Sequence, residues 1–359
     1  MNNLQANFFD TALERTRAEV CSRSLGAHAC PICNSQAKFW CQAPDYHYGN
    51  PGVWDVYRCS HCRHLFQYPA PREDQLFQFY PTSYYAYQPP ATDFAPHGMR
   101  HRGVWLWLHY LKYFRGYHHL SVSRNPILAS FGYLLSQRPL HFDAPIFKRD
   151  GTVLDYGSGT GHAIAFAQYT GWKAEGIEIN ETAAKIGRKS GLRIDNGSIE
   201  TLEERPERYN YIMSSHCVEH VADVSRLFRA FFKALKPGGV LAIDVPNGDA
   251  ISVERFRAFS FYLGMPVHVN LFTPTSIRLL AHSTGFADLS IETYSRWSTQ
   301  AESAVLIRRS RNRKSISTFR VHNAWEGFLG RISSLPTYLR SRLQSRGDCL
   351  VMTCVKPVS

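Results

Sequence analysis

The sequence predicts an α/β protein: a doubly wound, mostly parallel sheet of seven strands, preceded by a small cysteine-rich module and carrying helical insertions. Three observations predict it. From Gly151 onward, short apolar runs alternate with helical patterns, as a parallel sheet with crossover helices does. One of those runs ends in a glycine-rich turn, Asp155-Tyr-Gly-Ser-Gly-Thr-Gly161, that opens a helical pattern. Six of the nine cysteines lie in the first 62 residues, with two CxxC pairs among them.

At 359 residues the chain holds two or three domains, and 44% hydrophobic residues exclude a wholly disordered one. The expected division is a polar lead-in over 1–29, a metal-stapled module over 30–68 and a connector with basic aromatic helices over 69–147. The sheet domain follows over 148–359, interrupted by a basic insertion at about 301–346 before the last strand. Residues 152–156, 173–179, 192–195, 209–215 and 240–245 read as strands, with helical stretches starting near His162, Glu181, Ile199 and Asp223. A later helix over 274–283 precedes a strand over 287–294, and residues 348–355 read as the seventh strand.

The glycine turn carries the first chemistry. Gly157, Gly159 and Gly161 allow positive φ and close backbone approach to a ligand, and the helix start behind them favours anionic groups. The sixth position of a dinucleotide fingerprint is His162 here, and the Asp155 carboxylate would repel a pyrophosphate. Both features exclude a nicotinamide dehydrogenase. The carboxylate suits a ligand bearing an ammonium group. At the end of the next strand Glu178, 19 residues beyond Gly159, stands where an acid accepts both hydroxyls of a ribose. A ligand with a ribose, a cationic amino-acid tail and no phosphate is S-adenosylmethionine. An ordinary strand-to-helix turn would explain the glycines alone, but not Asp155 and Glu178 in register with them.

Residues 151 to about 300, with the last strand, resemble class I S-adenosylmethionine-dependent methyltransferases, which have a Rossmann-like sheet. The resemblance extends through Tyr209-Asn-Tyr-Ile-Met-Ser-Ser-His-Cys-Val-Glu-His-Val, Leu235-Lys-Pro-Gly-Gly-Val-Leu-Ala-Ile-Asp-Val-Pro-Asn and His268-Val-Asn-Leu-Phe-Thr-Pro-Thr-Ser-Ile. It implies a cofactor site of Asp155, Gly157, Ser158, Gly159, Gly161, Glu178 and Ile179. The adenine-contacting position corresponds to Ser198 and Ile199, where many members have Asp in place of Ser198.

The second signal is Cys30-Pro-Ile-Cys33 with Cys59-Ser-His-Cys62. Two such knuckles can set four thiolates tetrahedrally around Zn²⁺. An odd cysteine count with paired spacing argues against a disulfide framework and for a reducing compartment. Four thiolates leave no open coordination position, so the expected role is structural. His28, Cys41, His61 and His64 rank below these four as ligands, and Asn34 suits the left-handed turn after the first knuckle. The stretch resembles the zinc-ribbon extension of some bacterial methyltransferases of sugar, polysaccharide and secondary metabolism.

A third constellation is His216-Cys-Val-Glu-His220. As a bare HxxEH pattern it occurs in zinc peptidases, but that reading needs both histidines on a helix, and His216 falls at a strand exit. The location is the carboxyl edge of the sheet, where doubly wound folds bind ligands. The segment also resembles the Glu-x-x-Glu-His metal site of quinone-biosynthesis O-methyltransferases, with His216 at the first Glu position. Hard divalent ions prefer oxygen there. The expected catalytic group is His220 as general base with Glu219 orienting it. The competing reading has Glu219 and His220 capping a helix. His268 and Asn270 stand in a later loop that can reach the acceptor.

Charge is uneven. The formal net charge is +12, yet residues 94–142 hold six Arg or Lys and no acid, and Arg308 to Arg346 holds ten with only Glu326. Such segments suit nucleic acid, a membrane surface or an anionic substrate. The chain lacks the Asn/Asp-Pro-Pro-aromatic motif of base-methylating enzymes, which argues against nucleic acid. The arginines are mixed with bulky apolar residues, which suits a substrate lid formed jointly by both segments, with peripheral membrane contact second. The N-terminal stretch has neither the basic start nor the apolar core of a signal peptide, so a cytoplasmic protein, peripheral at the inner face of the membrane, is expected. The expected activity is O-methylation of a small-molecule or glycan-intermediate acceptor bearing phosphate. C-methylation of a sugar, or a non-catalytic methyltransferase-like protein in carbohydrate assembly, are the alternatives.

Overall fold

The computed structural model describes residues 28–71, 73–80, 88–90, 102–135, 145–146, 148–311 and 324–358. The polar lead-in expected over 1–29 lies almost wholly outside them. Strands β1 (His28–Ala29), β2 (Gln36–Pro44), β3 (Val53–Cys59) and β4 (Leu65–Gln67) form an antiparallel sheet. Helices α1 (Arg102–Phe114) and α2 (Pro126–Leu135) follow as a hairpin.

The large sheet begins at β5 (Thr152–Tyr156) and continues through α3 (His162–Tyr169), β6 (Lys173–Glu178), α4 (Glu181–Lys189), β7 (Ile194–Asn196), α5 (Ile199–Glu203) and β8 (Tyr209–Ser215). Then come α6 (Val224–Ala234), β9 (Leu235–Pro246), α7 (Ile251–Phe256), β10 (Asn270–Leu271), α8 (Pro274–Thr284) and β11 (Ala287–Tyr294). The helical hairpin α9 (Trp297–Arg311) and α10 (Ala324–Leu343) precedes β12 (Cys349–Val355). The seven strands lie in the order β11-β12-β9-β8-β5-β6-β7. β12 runs antiparallel to both neighbours, and β5 to β9 are mutually parallel. This is the class I methyltransferase arrangement that the sequence predicts.

Parallel strands covered on both faces alternate their apolar side chains between two cores. Val153, Tyr211, Met213 and Val351 pack with Ile164 and Trp172 on one face. Leu154, Ile212, Leu350 and Met352 pack with Phe228 and Phe231 of α6 on the other. Local signals start and stop the helices. The Asp223 side chain accepts from the Arg226 amide at 2.8 Å, and Thr273 with Ser276 forms a reciprocal capping box ahead of Pro274. Such caps contribute about 1 kcal/mol each.

The cysteine module does not stand apart. β10, from the sheet domain, pairs with β4, so that Asn270 lies opposite Phe66. The Thr273 hydroxyl donates to the Cys62 carbonyl at 2.7 Å. Arg58 and Arg63 both reach Asp249 and Glu254, which also take Arg346.

The two basic segments are anchored at opposite ends of the sheet. After α1, Tyr117 accepts from the Trp172 indole at 2.9 Å and His119 meets the Thr170 carbonyl, both at the amino end of β6. The α9–α10 hairpin instead joins the last residues of β11 to the start of β12, which pairs with the carboxyl end of β9. The expected lid needs both segments over one site, and residues 94–101, 136–142 and 312–323 of these segments lie outside the described residues. Sequence patterning finds charge and amphipathicity but carries no information on which end of the sheet a helix reaches.

Candidate active site

The loop after β5 is locked from both sides. Gly157, Gly159 and Gly161 all have positive φ, at 77°, 54° and 91°. At Gly157 a Cβ would lie 2.3 Å from the Cys217 sulfur, and at Gly161 it would strike Leu192 and Ile194. Beside Gly159, by contrast, a Cβ would meet nothing within 4 Å. The backbone is therefore tight underneath and open at its central glycine. Asp155 is buried on β5, one residue before the strand ends. Ser158 is buried as well, and its hydroxyl has no hydrogen-bond partner among the described residues. The neighbouring Thr160 hydroxyl donates to the Gln88 carbonyl at 2.7 Å, bringing the connector to the loop. Neither Thr160 nor Gln88 carries a sequence signal for this.

Glu178 ends β6 with its carboxylate against the loop. One oxygen accepts from the Gly159 amide at 2.7 Å, the other from the Asn180 amide at 2.8 Å. Burial pushes its carboxyl up, and the Asn180 and Gly159 amides, together with the nearby His220, only partly offset this. Ile179 beside it is 44% exposed, an apolar surface next to the carboxylate. At the next strand end, Ser198 precedes α5 and its hydroxyl donates to Glu200, while Ile199 is buried.

Across from this loop, β8 ends at Ser215 and the chain turns sharply at His216, whose φ is +51°. Residues Val218–His220 form a single 3₁₀ turn, and α6 takes its own cap from Asp223. Glu219 is fully buried. One of its oxygens lies 3.3 Å from His216 Nδ1, and the other has no hydrogen-bond partner among the described residues. Burial pushes the Glu219 carboxyl up, but the His216 contact and the nearby His220 and His268 outweigh it and hold it at about 2. Burial alone would lower the His216 pKa; contacts with Cys349 and Glu219 and the nearby Asp244 carry it well above the usual imidazole range.

His220 contacts the Val267 carbonyl through Nδ1 at 2.7 Å, which fixes Nδ1 as the protonated nitrogen and leaves the Nε2 lone pair available. His268 has the same arrangement, with Nδ1 3.0 Å from the Tyr262 carbonyl. Burial, aided by the nearby His220, lowers His268 to about 3. The two rings are 5.0 Å apart, and one ligand atom from each of Glu219, His220 and His268 lie within 4.8 Å of one another. His47, from the cysteine module, adds a third imidazole 6.4 Å from His268 and bonds the Phe261 carbonyl. The sequence marks His220 and Glu219, and His268 less strongly. His47 has no motif around it, and only folding places it here. Asn270 sits behind this cluster, bonded to His64 at 2.9 Å and to the Val221 carbonyl at 2.7 Å.

The four knuckle sulfurs, Cys30, Cys33, Cys59 and Cys62, converge. Their contacts of 3.5–3.7 Å approach the roughly 3.8 Å edge of a tetrahedron with 2.3 Å zinc–sulfur bonds. Backbone amides of Ile32, His61 and Cys62 point at the sulfurs, and Asn34 and Arg63 both turn left-handed after their knuckles. The donor set therefore fits a zinc ion. His64, bonded to Asn270, lies outside the cluster.

Residues 130–291 match a family model described as a methyltransferase domain. The chain is 35% identical over 127 residues to the ubiquinone/menaquinone biosynthesis C-methyltransferase UbiE of Vibrio vulnificus, covering 31% of this chain and 48% of that protein. It is 28% identical over 154 residues to phosphoethanolamine N-methyltransferase 2 of Caenorhabditis elegans, covering 41% of this chain and 35% of that one. It is 32% identical over 102 residues to a ubiquinone biosynthesis O-methyltransferase of Idiomarina loihiensis, covering 26% and 42%. The chain thus spans about half the length, or less, of these curated relatives. A solved S-adenosylmethionine-dependent methyltransferase from Archaeoglobus fulgidus aligns over 58% of this chain and 88% of that one, at 21% identity and a TM-score of 0.42. The family match marks residues 130–291 as a methyltransferase domain, and the strand order around the glycine loop is the class I arrangement.

Proposed function

We propose that the chain methylates a small-molecule or glycan-intermediate acceptor on oxygen, with His220 as the base. The observation that carries this reading is the His220 imidazole, held by the Val267 carbonyl with Nε2 available, near both the Glu178 carboxylate and His268. S-adenosylmethionine, when bound, supplies an electrophilic methyl group on a sulfonium. Asp155 and the Ser158 hydroxyl, unpartnered among the described residues, would hold its amino-acid tail, Glu178 its ribose, and the exposed Ile179 side chain one face of its base. Ser198 and Ile199 would border the adenine. His220 Nε2 would take the acceptor's hydroxyl proton as methyl transfer proceeds. Glu219, paired to His216 and close to His220, stabilises the imidazolium that forms. Most of the rate enhancement then comes from holding acceptor and methyl in line.

Methylation on carbon is the second reading, favoured by the similarity to a C-methyltransferase. The same imidazole would remove a proton from carbon. Zinc in the Cys30, Cys33, Cys59 and Cys62 cluster completes the proposal, with a structural role.

The test is transfer of labelled methyl from S-adenosylmethionine into an extract of the source cell, followed by identification of the labelled product. His220→Ala should cut the transfer by about 10²–10⁴-fold, with cofactor affinity unchanged. Full transfer in that variant overturns the base. Label on oxygen or on carbon decides between the two acceptor atoms.

A further inference from the structure

We propose that helix α10 docks the protein onto an anionic lipid surface, lying in the interface with its outer face buried among the headgroups. The helix presents six large apolar side chains to solvent: Trp325, Phe328, Ile332, Leu335, Leu339 and Leu343, each between 37% and 85% exposed. Their spacing of three and four residues puts them on one stripe of the helix. Monomeric soluble proteins rarely leave so continuous a stripe uncovered.

The stripe cannot turn inward, because the opposite face is committed to the protein. Gly330, Ser334, Thr337 and Ser341 are buried, and their centre lies roughly 170° around the helix from the stripe at about 100° per residue. At Gly330 a Cβ would fall 2.6 Å from the Ala301 carbonyl, so α10 lies backbone-close on α9. Ser341 meets Ser295 at 2.7 Å, Trp297 donates to the Arg331 carbonyl, and the Trp297 and Tyr338 rings stack. Only small residues fit this seam, and the large ones face outward.

Charge decides what covers the stripe. Arg331 and Arg342 flank it on one side and Arg340 on the other, all exposed. The helix has a single acid, Glu326, and that carboxylate is held by Arg309 at 2.6 Å. A second copy of α10 would bring arginines against arginines with no carboxylate to answer them. An anionic bilayer surface offers apolar depth for the stripe and negative headgroups for its rims, the pattern of an interfacial helix. Among the described residues no helix is long and apolar enough to cross a membrane, so the contact is with one leaflet. The hairpin leaves the sheet at the carboxyl edge, the edge that carries the glycine loop and His220. Docking would therefore bring that edge to the membrane surface. The inference stands on α10 alone and does not depend on which acceptor is methylated.

The test uses the full chain with phosphatidylglycerol–phosphatidylcholine vesicles and with pure phosphatidylcholine vesicles, read by co-sedimentation and by sedimentation velocity without lipid. Binding should require phosphatidylglycerol and weaken as salt rises. Ile332→Asp with Leu339→Asp, both solvent-facing, should abolish it while cofactor affinity is unchanged. Replacing Arg331, Arg340 and Arg342 by Gln should weaken it roughly a hundredfold, since each cation near such a surface contributes about fivefold. Partitioning that is absent, or equal in the parent and the Asp variant, overturns the proposal. So does a lipid-free dimer that the same Asp substitutions dissociate, which would assign the stripe to a second copy of the chain.

Discussion

Residues 155–161 build the side proposed for the cofactor from one strand, one turn and one helix start, whereas the side proposed for the acceptor draws His47, His220 and His268 from three distant stretches. The two buried carboxylates express the same contrast. Glu178 is held by neutral backbone amides, and burial dominates to raise its pKa. Glu219 meets His216, and that contact together with the nearby His220 and His268 prevails over burial to bring it to about 2. A carboxylate whose oxygens touch only amides can still accept ribose hydroxyls. A carboxylate matched to imidazoles tunes proton transfer instead.

The largest expected effect separates the two sides most sharply. Structural zinc contributes roughly 10–16 kcal/mol to small zinc-dependent folds. Cys62→Ser should lose zinc by elemental analysis and abolish methyl transfer, because β4 and the Cys62 carbonyl hold the 268–273 loop. Binding of S-adenosylmethionine should survive, since among the described residues the glycine loop makes no hydrogen bond to the knuckles. Equal loss of cofactor binding and transfer would break the comparison.

Next is the turn itself. Gly157→Ala combines a left-handed backbone, costing about 1–2 kcal/mol, with a clash against Cys217 costing about 1–3 kcal/mol. Calorimetric titration should show cofactor binding impaired together with stability. Unchanged affinity would mean that the loop does not contact the cofactor.

The carboxylates predict opposite responses to acid. Glu219 falls from an ordinary 4.5 to about 2 on folding, so its stabilisation is present above pH 4.5 and is lost as pH falls toward 2. That difference amounts to about 3 kcal/mol. Glu219→Gln should lower stability at pH 7 and flatten the acid limb between pH 5 and 3 in urea unfolding. Glu178, with a raised pKa, contributes most below its ordinary value and less as pH rises through the folded one. Glu178→Gln should therefore gain stability at pH 7 and steepen the fall in stability on acidification, read by urea unfolding across pH.

The smallest effect sharpens the binding role. Glu178→Ala removes an acceptor for ribose hydroxyls, worth about 1.5–3 kcal/mol for hydrogen bonds to a charged group. Cofactor affinity should drop roughly ten- to hundredfold by calorimetry. An unchanged affinity would move the ribose elsewhere.

The strands of the large sheet were legible because buried parallel strands read as unbroken apolar runs, and boundaries shifted only at the ends. β9 extends back to Leu235, past Gly238 and Gly239, five residues before the expected start at residue 240. The glycine loop was legible because its constraints are local: positive φ, a helix start and an acid one strand away all leave traces at short spacing. Cys30, Cys33, Cys59 and Cys62 were legible through the thiolate chemistry of their paired spacing.

His47 left no such trace, because its role depends on Phe261 and His268 more than two hundred residues away. The same holds for β10, a two-residue strand too short for any pattern, which joins the cysteine module's sheet to the loop that carries His268. The ends of the sheet reached by the basic hairpins and the outward face of α10 depend likewise on packing. Hydrophobic period and side-chain chemistry act within a few residues, and so a chain displays them along its length. The meeting of an imidazole, a carboxylate and a distant carbonyl is fixed by how sheets and helices stack, and that geometry is a property of the folded whole.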